Sequence, residues 1–398
     1  MRTNCVACGS ERLLEGINLG EMPNSNGLAE SKETASAAKS YSLNYYWCEN
    51  CGLLQLVNVA KRDELWKDYT YQSGVNKALI EYLAERARLL FRAVKKKELA
   101  YVIASNDGTE IAPLKLGFKK VIGIDPAKNM TDIANSKGLT SINAYFSEEL
   151  GIKLAQDGKA DLITANNVFA HVPDPADMMR GIKALLADDG YAVIEVQSLR
   201  SVLKGLSFDT LYAEHHYEWS IKGMHELTKR CGLVLTNVTY LASQQGGSVR
   251  FWIRKTGMEF PTEKEEKEFA YIKNHIPNFQ KRADRRKRKF VRLIKKLKKD
   301  GKTISIWGSS AKINTLVNYC GLTSEDIACA YEVADSKIGK YMPKAGIPIK
   351  NEAGILTDMS DYLIVGAWNY MDFAKKKLSA YLEKGGQLIN PHTCKIEA

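Results

Sequence analysis

Between residues 101 and 126 apolar runs alternate with short polar breaks in the order strand, tight turn, helix, strand. Tyr101, Val102, Ile103 and Ala104 form a short apolar run bounded by turn residues, the pattern of a buried parallel strand. Ser105, Asn106, Asp107 and Gly108 supply the turn, and Gly108 admits backbone angles or close approaches that a Cβ would forbid. The pattern predicts a helix over 109–116 and a second strand over 121–124 that ends in Asp125. An acidic residue about 20 residues after the first strand is where a nucleoside-binding α/β unit reaches two ribose hydroxyls, with the rest of the ligand on a helix N-terminus.

The same alternation continues on both sides. It predicts a strand over 53–57, a helix over 75–97, a strand over 161–167, a helix over 178–186, a strand over 191–197, a helix over 221–231 and a strand over 234–241. Gly246 and Gly247 precede a further strand. After a basic segment, a second unit opens with a strand over 303–307, the turn Gly308-Ser309-Ser310-Ala311-Lys312 and a helix over 313–320. Strands over 327–332, 347–349 and 362–366 follow. The expected architecture is α/β: a small N-terminal module (1–75), a central Rossmann-like domain (76–255), a basic helical connector (256–300) and a second Rossmann-like domain (301–398).

Composition changes this picture in two places. With 398 residues the chain is too long for one compact core, and two or three domains follow. The net charge of +11 is concentrated over 280–302. There Phe290, Leu293, Ile294 and Leu297 recur at helical spacing, so the run reads as a solvated helix with one apolar face rather than as a nucleic-acid-binding arm. The N-terminus has no apolar signal core and no run is long enough for a membrane span, so a soluble, cytoplasmic and monomeric protein is expected.

Four of the eight cysteines are patterned. Cys5-x-x-Cys8 and Cys48-x-x-Cys51, each followed by glycine, can each supply half of a tetrahedral structural Zn²⁺ site. Polar candidates gather beyond predicted strand ends: Asn166, Asn167, His171, Glu195 and Gln197. The densest group is Tyr212-Ala213-Glu214-His215-His216-Tyr217-Glu218, which offers a base, a carboxylate to orient it and a phenol. Tyr69 and Tyr71 alternate in an extended segment and point the same way. Ser309 and Lys312 lie in the turn of the second Rossmann-like unit, where a phosphate can be cradled.

SNDG followed by GIDP resembles the S-adenosylmethionine (SAM) site of Rossmann-like methyltransferases. The resemblance places Ser105, Asn106, Asp107, Gly108, Asp125 and Asn166 around SAM, with Val102 and Ala104 standing where an acidic residue and a glycine are usual. The CxxCG pair, SNDGT, GIDP, NNVFAHVPD, EVQ, YxEH, GGSxR, GSSAK, KxGKYMP and AWN, in that order, resemble the nucleotide-sugar C-methyltransferases of deoxysugar pathways. That family implies zinc-binding, SAM-binding and C-terminal Rossmann-like domains, and methylation at C3 of a 4-keto deoxysugar carried on dTDP. It implies His215 as base, with Glu214, Tyr212, His171 and Tyr71 beside it and Asn167, Tyr69 and Gln245 near the sugar. Here Ala213 replaces the first histidine of YHEH and Gln245 that of HGGS. An O- or N-methyltransferase on a related substrate and a zinc-ribbon nucleic-acid-binding protein are the alternative readings.

Overall fold

The computed structural model describes residues 2–61, 72–241 and 246–397. Tyr69, Tyr71 and Gln245 therefore lie outside the described residues. The chain folds around three sheets. The first is antiparallel, with strands β1 (Leu13–Pro23), β2 (Ser40–Cys48), β3 (Leu54–Leu56) and β9 (Tyr217–Glu218) in the order β1-β2-β3-β9. Its last strand comes from far along the chain: Leu54 and Gln55 pair with Glu218 and Tyr217.

The second sheet contains β4 (Leu99–Ile103), β5 (Lys120–Asp125), β6 (Thr140–Asn143), β7 (Ala160–Asn166), β8 (Leu186–Gln197), β10 (Val234–Leu241) and β11 (Ser248–Arg254). The order is β10-β11-β8-β7-β4-β5-β6, parallel from β8 to β6 and antiparallel at β11 and β10. The third has β12 (Ile304–Trp307), β13 (Ala330–Glu332), β14 (Ile349–Asn351), β15 (Tyr362–Val365), β16 (Gln387–Asn390) and β17 (Lys395–Glu397). These run β14-β13-β12-β15-β16-β17, with only β17 antiparallel. The architecture is thus mixed α/β with Rossmann-like units, as the alternating pattern predicts.

The expected elements are shifted at their ends. The helix after the SNDG turn shrinks to Ile111–Leu114, because Pro113 and Gly117 leave little room to propagate it. The helix before β4 runs Lys77–Ala93 and is capped by Asn76, whose side chain accepts from Leu79 N. The basic segment is a helix over Phe279–Lys299, and Phe290, Ile294 and Leu297 are buried along it, together with Phe279 and Ala283. That stripe joins Ile17 and Leu54 of the first sheet and Ile304 and Ile306 of the third in one core. The segment that looks most like a nucleic-acid arm is thus a packing element whose basic residues ring a buried face.

Between the helix Lys77–Ala93 and the central sheet lies a buried charged network. Arg86, fully buried on the helix Lys77–Ala93, pairs with Glu110 just after the SNDG turn and stands 3.4 Å from Glu195 of β8. Arg250 of β11 pairs with Glu195 at 3.0 Å, Tyr82 donates to the same carboxylate, and Thr164 Oγ1 donates to Glu110 at 2.8 Å. Two guanidinium groups thereby balance two carboxylates, and burial of either charge alone would be costly. Glu195, expected among strand-end functional residues, is therefore a structural member of this network, as is the arginine of GGSxR.

Arg86→Met would strand Glu110 and weaken the hold on Glu195. The expected loss of unfolding free energy is about 3–5 kcal/mol, the scale for breaking a buried ion pair. Urea denaturation would measure it, and a loss below about 1 kcal/mol would mean that the network carries little of the fold.

Candidate active site

The SNDG turn is held by its own polar groups. Asp125, at the end of β5, accepts from Asn106 N at 2.8 Å and from Ala127 N at 2.9 Å, which fixes the plane of its carboxylate. Burial pushes its pKa up, and these two donors oppose that. The side chains of the turn are employed locally: Ser105 with Ser141 at 3.1 Å, Asn106 accepting from Ser73 N at 2.9 Å, and Asp107 accepting from Gly74 N and Lys137, each at 3.2 Å. What the turn can offer a ligand is chiefly its backbone. Gly108 has φ +84°, and a Cβ there would stand 2.4 Å from Leu139 Cδ1, so packing and conformation both demand glycine.

Ala104 takes φ +55°, a left-handed conformation that costs a non-glycine residue roughly 1–2 kcal/mol. The glycine usual at this place in the SAM-site pattern thus has a backbone reason. Val102 is fully buried among Ala100, Leu162 and Val193. At the carboxyl end of β7, Asn166 Oδ1 is buried with no hydrogen-bond partner among the described residues, and Asn167 takes φ +53° while donating its N–H to Glu195 O at 2.7 Å. Asp125, the turn backbone and the unsatisfied Asn166 oxygen form a donor and acceptor set that fits a ribose-bearing, amino-acid-bearing ligand.

A second group assembles around the histidines. His215 is 7% exposed, and its Nδ1 lies 2.8 Å from Thr210 O. A carbonyl can only accept, so Nδ1 carries the proton and Nε2 the lone pair. The ring sits 4.0 Å from the Tyr212 ring and 4.7 Å from the His171 ring, centroid to centroid. His171 Nδ1 likewise donates to Glu214 O at 2.6 Å, and Asn26 Nδ2 donates to the Glu214 carboxylate at 2.8 Å. Tyr45 OH clamps the segment from the first sheet by donating to His215 O at 2.7 Å and lies 3.1 Å from Tyr212 O.

Burial sets the charge states. It holds His215 well below the usual imidazole range, lowers His171 to about 4 and His216 to about 3, and pushes Glu214 up to about 7 and Glu218 up to about 8. Glu218 Oε1 is 3.9 Å from His215 Nδ1 and 3.5 Å from Thr210 Oγ1. Burial also lowers Lys312, against the attraction of Asp209 and Glu218.

Lys312 is where the third sheet enters. Its ammonium lies 5.5 Å from the centre of the Trp368 ring; Trp368 Nε1 donates to Asp209 at 2.6 Å and stacks on His392 at 3.9 Å. A Cβ on Gly246 would stand 3.5 Å from Trp368 Cη2 and 3.8 Å from Lys312 Nζ. The GGS, GSSAK and AWN segments, far apart in sequence, thus meet beside the histidine segment. Ser309, in the same turn as Lys312, buries a hydroxyl with no partner among the described residues. Glu218 belongs to the polar cluster read from the sequence, whereas Asp209, Asn26 and Tyr45 escape sequence reasoning.

The zinc ligands also converge. The Sγ atoms of Cys5, Cys8, Cys48 and Cys51 all lie within 4.8 Å of one another, with Cys5–Cys51 and Cys8–Cys48 each at 3.6 Å. Four thiolates about 2.3 Å from a tetrahedral zinc stand about 3.8 Å apart, so the cluster fits Zn²⁺ with no open position.

Comparison with known proteins finds three domain models along the chain. A zinc binding domain model matches residues 5–66, a methyltransferase domain model residues 103–238, and a C-methyltransferase C-terminal domain model residues 243–392. C-methyltransferase NovU of Streptomyces niveus is 28% identical over 399 residues, covering 97% of this chain and 94% of its own. This chain is a SAM-dependent methyltransferase whose four-cysteine module binds zinc. The ubiquinone biosynthesis O-methyltransferase of Marinobacter nauticus is 27% identical over 160 residues, 39% of this chain and 64% of that enzyme. A SAM-bound magnesium protoporphyrin IX methyltransferase from Synechocystis is 13% identical, covering 49% of this chain and 89% of its own at a TM-score of 0.35. Among the described residues no helix is long and apolar enough to cross a membrane.

In this methyltransferase Asp125→Asn should weaken SAM binding by about 10- to 100-fold, the effect of weakening a hydrogen bond to a charged acceptor. Titration calorimetry measures it, and an unchanged affinity would place the ribose elsewhere.

Proposed function

We propose that this C-methyltransferase acts on C3 of a nucleotide-activated, dTDP-linked 4-keto deoxysugar, with His215 as the base. The observation that carries the proposal is the His215 tautomer: Nδ1–H is committed to Thr210 O, and burial keeps the ring neutral, which leaves Nε2 as a basic lone pair. A ketone at C4 acidifies the neighbouring C3–H, so removal of that proton gives an enolate and a carbon nucleophile. SAM, when bound, supplies an electrophilic methyl group on a sulfonium. His215 Nε2 takes the proton, while Tyr212 and His171 flank the ring and offer groups that can position the sugar.

The nucleotide side is assigned to the third sheet. Lys312 and the Ser309 hydroxyl provide a cation and a donor for phosphate oxygens, and Trp368 provides an aromatic surface. Asn167 lies at the end of β7, between the SAM turn and the histidines in sequence. Tyr69, Tyr71 and Gln245 complete the proposed set from outside the described residues. The stretch from Tyr212 to Glu218 holds two neutral histidines and two carboxyls raised by burial, a set suited to moving a proton without a buried net charge.

His215→Asn should retain SAM affinity while losing about 10²- to 10⁴-fold in methyl transfer, together with the wash-in of solvent deuterium at C3. NMR of the sugar in D₂O reads the exchange. Normal exchange in His215→Asn would move the base elsewhere, and active wild-type enzyme without any C3 exchange would exclude the enolate.

The pH dependence has a definite sign. An unshifted imidazole loses its base form as pH falls through about 6.5. Because the folded pKa of His215 is depressed, the base form persists below that point, so from pH 8 to 6 kcat/KM should show only the small changes that titration of Glu214 and Glu218 brings and no loss of the imidazole base. A tenfold fall over that interval in a pH–rate profile would contradict a buried neutral base.

A further inference from the structure

A large cleft lies apart from the one that holds the histidines. It has a volume of about 960 Å³ and is walled by the helix Lys77–Ala93 on one side and by β8, β10 and β11 on the other. Tyr191, in its wall, lies six residues before the end of β8 at Gln197. At the usual rise per residue the cleft is thus about 20 Å along the strand from the end where the SAM turn and the histidines gather. None of its lining residues belongs to the site described above.

Three observations mark it as a place for a ligand. First, Arg88 and Arg92 project into it one helical turn apart, and Arg254 enters from β11. Like charges at that helical spacing repel, and neither helix arginine makes an ion pair among the described residues. Second, Trp252, only 7% exposed, lines the cleft with an indole N–H that is buried without a partner among the described residues. Third, Arg254 Nε is buried and equally unpartnered. The rest of that guanidinium is fixed: one terminal nitrogen donates to Asp189 O at 3.2 Å, and the group lies 4.7 Å from the centre of the Tyr191 ring. A buried donor without an acceptor costs roughly 1–3 kcal/mol, and here two belong to side chains in the wall of one cleft that three arginines line.

The remaining wall is apolar and aromatic, from Leu89, Ala93, Met258 and Tyr191, and Glu85 is the one carboxylate present. A volume of this size accommodates a small organic molecule rather than a lone ion. We propose that the cleft binds a nucleoside phosphate at a site separate from the active site, with phosphoryl oxygens on Arg88, Arg92 and Arg254 and the heterocycle against the apolar wall. Guanidinium forks match phosphate oxygens in geometry, and the Trp252 and Arg254 N–H groups gain the acceptors they lack.

The test uses the zinc-loaded full chain with ¹⁵N-labelled tryptophan. The Trp252 indole resonance is assigned as the one missing from Trp252→Phe, and SAM binding confirms that each variant is folded. ADP should shift this resonance saturably, and adenosine should not at the same concentrations. Arg92→Gln/Arg254→Gln should weaken the ADP effect at least tenfold while keeping SAM affinity. A Trp252 resonance unmoved by millimolar ADP would overturn the proposal, as would an equal response to adenosine and ADP or an unchanged ADP affinity in the double variant. Saturation by tripolyphosphate with the same affinity as ADP would remove the nucleoside from it.

Discussion

The candidate active site depends on a strand pairing between segments about 160 residues apart. β3 of the zinc module pairs with β9, and Leu56 N donates to His216 O at 2.8 Å, so the histidine segment is the last strand of the zinc-module sheet. Further bonds tighten the junction: Ser220 Oγ donates to Cys51 O at 2.7 Å, and Arg230 donates to Ala7 O at 2.7 Å. A closed four-cysteine cluster performs no chemistry. Its contribution is to fix β2, β3 and the two cysteine turns as one rigid edge on which His215, Tyr212 and Glu218 are held.

Much of this fold is legible in sequence because its signals are local. The SNDG turn, the apolar runs of β4, β5, β7 and β8 and the stripe on the basic helix all follow from period and turn chemistry within a few residues. The two cysteine pairs likewise announce one site. The pairing of β9 has no such signal, since a two-residue strand makes backbone hydrogen bonds that almost any residue can make. Nor could sequence distinguish a strand-end carboxylate that binds a ligand from one buried in an ion-pair network. Asp125 and Glu195 both stand at or near strand ends. Only the positions of Arg86 and Arg250 separate them.

The same limit explains which site residues were legible. His215 and Glu214 sit in a polar cluster that is conspicuous by composition, and Lys312 sits in a recognisable turn. Asn26, Tyr45 and Asp209 lie in ordinary-looking segments and reach the site through tertiary packing. Their roles are relational: Asn26 matters because Glu214 is buried, and Tyr45 because two carbonyls of the histidine loop point at it.

Burial is what makes the ionisable groups of the site coherent. In water the two carboxyls Glu214 and Glu218 would be anionic, and the histidines about evenly poised at pH 6.5. Enclosed by three sheets, both histidines and carboxyls are driven toward their neutral forms, and Lys312 is balanced by Asp209. A neutral base next to protonatable carboxyls gives a proton a local path whose steps create little buried net charge. An open site with the same residues would lack that property, because solvated Glu214 and Glu218 would stay ionised and pull the imidazoles toward their protonated form. The enclosure supplied by the zinc-module sheet and the third sheet is therefore a chemical requirement of the proposed base as well as a mechanical support.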